Sequence, residues 1–223
     1  MKLVCLGDSL TQGTYGGSYV EVLRALRPAD EIINAGRSGD TVLNLLTRVD
    51  EVLAHAPDGV FVMIGGNDAI SFSQPATRPF YRRAKALPDG MVTPEQFSAG
   101  YRDLLAQLQL GGALVWVGLP PAEANPTASA ALAHFNALAR QAAGSWRIPV
   151  LDLMTHFAPL PPPERPPLDM DTIITIGQRE KNGWREYEAS AQAGGYHFTF
   201  DGLHLLPGAA ARMAALISAF VDS

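Results

Sequence analysis

One cysteine in 223 residues, Cys5, excludes any internal disulfide. A lone thiol fits a reducing compartment. The first strand pattern begins almost at residue 1 and leaves no segment that reads as a secretory leader, so the expected location is the cytoplasm, with a processed exported form as the alternative. Charge is also scarce, at 17% Asp, Glu, Lys and Arg against an average of about 25%. What charge there is runs acidic, 22 acids against 17 bases for a net −5, which excludes the basic footprint of a nucleic-acid binder. No apolar run approaches the ~20 residues of a membrane span. The five histidines are scattered and lack zinc-ligand spacing, so no metal site is expected.

What is abundant is apolar surface: 47% of residues are hydrophobic. A chain of this length suits one domain spanning residues 1–223, burying roughly 70% of its unfolded surface. Short aliphatic runs at residues 2–6, 31–33, 60–64, 113–117 and 150–153 read as five strands. Between them lie helical patterns. Tyr19, Val20, Leu23 and Leu26 share one face before Pro28. Val42, Leu46, Val49 and Leu53 recur at helical spacing after Asp40 or Thr41 as cap. Thr93-Pro94-Glu95-Gln96 has the form of a capping box with proline in the first turn. Ala128 to Ala143 is alanine-rich, and Pro207 opens a last helix carrying Ala210, Met213, Ile217 and Phe220.

This alternation predicts an α/β fold: a five-stranded parallel sheet with helices on both faces. Ligands of such sheets bind beyond the carboxyl ends of the strands. Three glycine-rich polar loops follow the first three strands and so share that edge. Two segments break the alternation. Residues 71–92 carry Phe72, Phe80 and Tyr81 with the bases Arg78, Arg82, Arg83 and Lys85. Residues 159–200 open with six prolines in nine residues and then hold Trp184, Tyr187, Tyr196 and Phe198. Insertions this long are usually functional or disordered. Their aromatics suit a wall over the site, a local core or a contact between subunits. The basic run suits a solvated face or a receiver of an anionic substrate.

The residues at the sheet edge supply the parts of a nucleophilic hydrolase. Ser9, on the tight turn after the first strand, is the candidate nucleophile. His204 is the candidate general base, and Asp201, three residues before it, can bond the far imidazole nitrogen and fix its tautomer. The Ser9 amide, the Gly36 amide and the Asn67 side-chain amide are candidate oxyanion donors. Asp8, next to Ser9, is assigned to holding loop amides. His197, among Tyr196, Phe198 and Phe200, is expected to pack or line the pocket, and Cys5 to be an inert buried thiol. Taken singly, Ser9 reads as a helix cap and Asn67-Asp68 as turn residues; it is their joint order that argues for chemistry.

That order resembles the GDSL-type esterase/lipase family of the SGNH hydrolase superfamily. Gly7-Asp8-Ser9-Leu10-Thr11-Gln12-Gly13 is similar to its nucleophile block, and Asn34-Ala35-Gly36-Arg37-Ser38-Gly39 to the second block. Gly65-Gly66-Asn67-Asp68 resembles the third, and Asp201-Gly202-Leu203-His204 the Asp-x-x-His block. The resemblance implies a three-layer α/β/α sandwich of flavodoxin-like topology. It also implies hydrolysis of a small-molecule ester or thioester through an acyl-enzyme, with no cofactor. It leaves the substrate open: a simple carboxylic ester, an O-acetylated carbohydrate or an acyl-CoA thioester. A non-catalytic acyl- or nucleotide-binding module is a distant alternative: for nucleotide binding the first loop lacks both phosphate-binding glycine fingerprints, and for acyl binding alone no catalytic residue is missing.

Overall fold

The computed structural model describes residues 1–158 and 161–222. Its five strands are β1 (Lys2–Gly7), β2 (Glu31–Gly36), β3 (Gly59–Met63), β4 (Leu114–Leu119) and β5 (Val150–Asp152). All neighbours pair in parallel, in the order β2-β1-β3-β4-β5. Between and after them run α1 (Ser9–Gln12), α2 (Tyr19–Leu26), α3 (Val42–Leu46), α4 (Val49–Leu53), α5 (Gly66–Ser73) and α6 (Arg78–Ala84). They are followed by α7 (Pro94–Leu110), α8 (Pro126–Ser145), α9 (Leu153–Phe157), α10 (Met170–Lys181), α11 (Tyr187–Gly194) and α12 (Pro207–Val221).

The period-two geometry of a strand sorts its side chains into two cores. Val4 and Leu6 of β1, with Val60 and Val62 of β3, face a layer of α3, α4, α5, α7 and α8. Leu3 and Cys5, with Phe61 and Met63, face α1, α2, α9 and α12. Both faces are covered, which is why the strands read as unbroken apolar runs. The expected α/β/α sandwich is what the chain builds. The sheet order reverses at β1, whose neighbours are β2 and β3, and such a switch point opens a crevice at the carboxyl ends of the strands. Gly7 pairs with both Gly36 and Met63, so the first three strands end level with one another.

Local signals and packing agree at most elements. The Gln96 amide donates to Thr93 Oγ1 at 3.2 Å and the Thr93 amide to Gln96 Oε1 at 2.9 Å, completing the capping box of α7. Two helical expectations are corrected. The pattern at residues 42–53 divides into α3 and α4, because Arg48 turns inward at the break; the buried positions are Val42, Leu45, Val49 and Val52. Leu26 is half exposed rather than on the inner face of α2.

Both insertions contain structure. Residues 71–92 hold the end of α5, a 3₁₀ turn at Pro75–Thr77 and α6. The excursion is tied at its base by the Val92 amide donating to Ser71 Oγ (3.2 Å) and by Arg78 donating to the Ser71 and Phe72 carbonyls. The second insertion holds α10 and α11; Pro159 and Leu160, where its proline run begins, lie outside the described residues. Its aromatics form a third small core of Tyr187, Phe200 and Leu206, with Trp184, Tyr196 and Tyr15 against it. Among the described residues no helix is long and apolar enough to cross a membrane.

Candidate active site

Ser9 begins α1 directly after β1, and Asp8 before it accepts a hydrogen bond from the Leu10 amide at 3.0 Å. Its partners arrive from the far end of the chain. Between residues 198 and 206 the backbone folds back on itself, with the Phe200 amide donating to the His204 carbonyl (3.0 Å) and the Leu206 amide to the Phe198 carbonyl (2.9 Å). At the tip, Asp201 Oδ1 accepts from the amides of Leu203 (2.9 Å) and His204 (2.7 Å), while Oδ2 lies 2.7 Å from His204 Nδ1. His204 Nε2 lies 3.0 Å from Ser9 Oγ. A carboxylate only accepts, so in the neutral ring the proton sits on Nδ1 and Nε2 presents its lone pair to the serine hydroxyl. His204 is 7% exposed, with Tyr15 edge-on at 5.1 Å and Phe200 stacked at 6.0 Å.

Asn67 enters from the β3 end, in the first turn of α5 rather than in a loop. Its Nδ2 donates to Asp8 Oδ2 at 3.1 Å and its Oδ1 accepts from the Tyr81 hydroxyl at 2.8 Å. A donor on one side and an acceptor on the other fix which way the amide faces. One Nδ2 hydrogen is then left for a ligand. Asp8 thus holds a loop amide, as its position suggested, and also the Asn67 amide. Burial pushes its carboxyl up to about 6, against the pull of the Leu10 amide and of His204. Asp68, the next residue of α5, is fully buried and accepts from the Val42 amide at 3.0 Å, joining α5 to the start of α3; burial, with Asp8 nearby, pushes it up to about 8.

Gly36 does not fit its expected role as an oxyanion donor. Its amide already donates to Asn34 Oδ1 at 2.9 Å, and it borders a separate depression with Arg37, Glu51 and His55. A Cβ at Gly36 would lie 2.1 Å from the Gln12 amide nitrogen. The glycine is there so that α1 can pack on the end of β2. Gly39, three residues on, borders the cleft that contains Ser9. It sits with φ +78° in the turn closed by the Asp40 amide on the Arg37 carbonyl (3.1 Å), and its own amide meets no acceptor among the described residues.

Buried charge holds this loop in place. Arg48 donates to the Ala35 carbonyl (2.7 Å), the Gly7 carbonyl (3.0 Å) and Asp40 Oδ2 (2.9 Å), and Lys85 Nζ donates to Asp40 Oδ1 (2.9 Å). One guanidinium therefore clamps the ends of β1 and β2. Glu123, buried after β4, braces the His204 segment: Oε1 accepts from the His197 amide (2.7 Å) and Thr199 Oγ1 (3.0 Å). Neither role was visible in the sequence, and neither was that of Tyr81. The one available signal was an arginine inside the otherwise apolar helical pattern around Arg48.

The cleft over Ser9 and His204 has a volume of about 380 Å³. Of the basic run only Phe80 and Tyr81, interspersed within it, border the cleft; Arg78 and Lys85 bond other parts of the fold, and Arg82 and Arg83 are exposed. His197 is corrected as well, since its side chain is 85% exposed rather than packed. Cys5 is fully buried, and burial pushes its thiol up to about 12. Among the described residues no three His, Cys, Asp or Glu side chains converge as a metal site requires.

Comparison with solved structures gives the same fold over the whole chain. The lipase/acylhydrolase from Enterococcus faecalis is 21% identical, with 99% of this chain and 95% of that one covered and a TM-score of 0.65. The acetyl xylan esterase AlAXEase is 18% identical, with 98% of each chain covered and a TM-score of 0.67. An acetylxylan esterase from Geobacillus stearothermophilus is 20% identical, with 100% of this chain and 94% of that one covered and a TM-score of 0.64. No curated protein matches the chain. The model of the GDSL-like Lipase/Acylhydrolase family matches residues 5–204, spanning all four sequence blocks. The chain belongs to that family and is a carboxylic ester hydrolase.

Proposed function

We propose that this chain hydrolyses esters through an acyl-enzyme on Ser9, with His204 as general base and acid and Asp201 as the group that orients it. The observation that carries the reading is the unbroken line from Asp201 Oδ2 to His204 Nδ1 (2.7 Å) and from His204 Nε2 to Ser9 Oγ (3.0 Å). In the first half-reaction Ser9 Oγ attacks the acyl carbonyl as its proton passes to Nε2. The carbonyl π pair moves onto oxygen, and the resulting oxyanion faces the amides of Ser9 and Gly39 and the free Nδ2 hydrogen of Asn67. Asp201 stabilises the imidazolium that forms. Collapse of the intermediate breaks the C–O bond to the leaving group, which takes the Nε2 proton and departs as the alcohol. In the second half-reaction water gives its proton to Nε2, attacks the acyl carbon and releases the acid, and Oγ recovers the proton.

Each oxyanion donor of this kind is worth about 10²–10³ in turnover. Gly39 replaces Gly36 in the set on the strength of its uncommitted amide and its position at the cleft. Carbohydrate deacetylation and thioester cleavage would use the same chemistry and differ in what fills the cleft. The test is hydrolysis of p-nitrophenyl butyrate by wild type and Ser9→Ala, with a fluorophosphonate label followed by mass spectrometry. The expected result is activity and a single labelled peptide containing Ser9, both lost in the variant. Equal activity in the two proteins would overturn the assignment.

A further inference from the structure

The cleft has two unlike parts. Around Ser9 it is polar, with Asp8, Ser38, Asn67 and His204. The same cleft also carries hydrocarbon lining: Ile70 of α5, Ala128 and Leu132 of α8, Ala122 after β4 and Ile176 of α10. All five are buried. They come from four elements and border the same cleft as Ser9, whose apolar limb they form. The further polar side chains of α10 that border it, Gln178 and Lys181, are exposed.

Such a limb discriminates by desolvation. A sugar acetate would bring hydroxyls that each need a hydrogen-bonding partner once buried, and the hydrocarbon wall offers none. An acetyl group alone would leave most of the 380 Å³ unfilled. At about 30 Å³ for a water-sized group, the cleft admits roughly a dozen such groups, enough for a medium aliphatic chain and the first atoms of a leaving group. Resting on the proposed Ser9 chemistry, we infer that the limb is an acyl-chain chamber and that the enzyme prefers linear acyl groups of about six to ten carbons. The wall contributed by α10 makes the second insertion a determinant of that preference. This sets the chain apart from the acetyl esterases that share its fold.

Each methylene moved from water into hydrocarbon is worth about a fourfold gain in binding, so kcat/KM rises along the series from acetate. The experiment measures kcat/KM for p-nitrophenyl acetate, butyrate, octanoate and palmitate, and for octyl acetate, with wild type, Ser9→Ala, Ile70→Trp and Ile176→Trp. The expected wild-type profile peaks at octanoate, at least about thirtyfold above acetate, and falls at palmitate. Filling the limb from either side lowers the octanoate-to-acetate ratio at least about tenfold, and two variants on different helices guard against one that does not fold. A Ser9-dependent profile that is flat or highest at acetate overturns the chamber and leaves the Ser9 chemistry standing. So does a chain preference that follows the alcohol of octyl acetate, because the limb would then hold the leaving group. Activity that survives in Ser9→Ala overturns the underlying chemistry instead.

Discussion

Removing one oxygen from Tyr81 tests whether the Asn67 amide is aimed. The Tyr81 side chain is buried, and burial holds its pKa well above the ordinary 10, so it remains a donor across the working range. Its hydroxyl donates to Asn67 Oδ1 at 2.8 Å, opposite the bond from Asn67 Nδ2 to Asp8 Oδ2. Tyr81→Phe keeps the ring and its edge contact with Phe80 but leaves Oδ1 without its donor. Asn67 is half-buried and borders the cleft, so losing the bond should cost about 0.5–1.5 kcal/mol of stability. The full worth of an oxyanion donor is about 10²–10³ in turnover. An amide held at one end instead of two should forfeit only part of it, so kcat for the ester that wild type cleaves best should fall about 5- to 50-fold with KM little changed. Because Tyr81 would act only through Asn67, the two changes should not add: in an Asn67→Ala background, Tyr81→Phe should lower kcat by less than about twofold. Steady-state kinetics on the four proteins, with Tm measured for each, decides the matter. Full additivity, or a Tyr81→Phe variant with unchanged kcat, would refute the argument.

Asp201→Asn should lower kcat about 10⁴-fold with the fold intact, because an amide donating to Nδ1 leaves Nε2 protonated and unable to accept from Ser9; circular dichroism and p-nitrophenyl ester kinetics check both halves. Asp68 should make stability fall with rising pH. Its folded pKa, about 8, stands above the ordinary 3.8 because the carboxyl is buried. Its stabilising contribution is therefore whole below about pH 4 and is lost as pH climbs through 8. Between pH 5 and 9 the Tm of wild type should drop more steeply than that of Asp68→Asn, and parallel curves would show that Asp68 does not titrate in this window. The two glycines of the second block should separate: Gly36→Ala should lower Tm, because its Cβ meets the Gln12 backbone. Gly39→Ala should lower kcat far more than Gly36→Ala does, with some loss of Tm as well, since its φ is +78° and a Cβ there would lie 2.6 Å from Lys85 Cε; a larger kcat loss in Gly36→Ala would restore Gly36 to the oxyanion site.

The layers of the fold were legible because their causes are local. A strand covered on both faces has to read as an unbroken apolar run, and Thr93 with Gln96 carries its whole capping box in four residues. The split of residues 42–53 into two helices was not legible, since periodicity registers apolar spacing and Arg48 is drawn inward by carbonyls at the ends of two strands. Ser9, Asp201, His204 and Asn67 could be named in advance because they lie beside strand ends or in a short motif. Tyr81 and Glu123 could not. Their partners lie 14 and 74–76 residues away, and nothing near either residue in sequence marks it as a polar anchor rather than a core aromatic or a surface acid.

The glycines of the second block show the same boundary at finer scale. A motif tells which loop reaches the reaction centre, and it ranks the amides within that loop only if each is equally free. They are not. Asn34, placed two residues before Gly36, can reach that amide with its own side chain, and does at 2.9 Å. What makes Gly39 available is the turn on which it sits: a positive φ favours glycine, and it leaves an N–H that the Arg37–Asp40 hydrogen bond does not use. Competition for hydrogen bonds within a six-residue stretch, more than the identity of its residues, therefore decides which amide is left free. The same test, asking which amide is left unpaired once the local side chains have been served, applies to any site whose oxyanion donors are read from a glycine-rich motif.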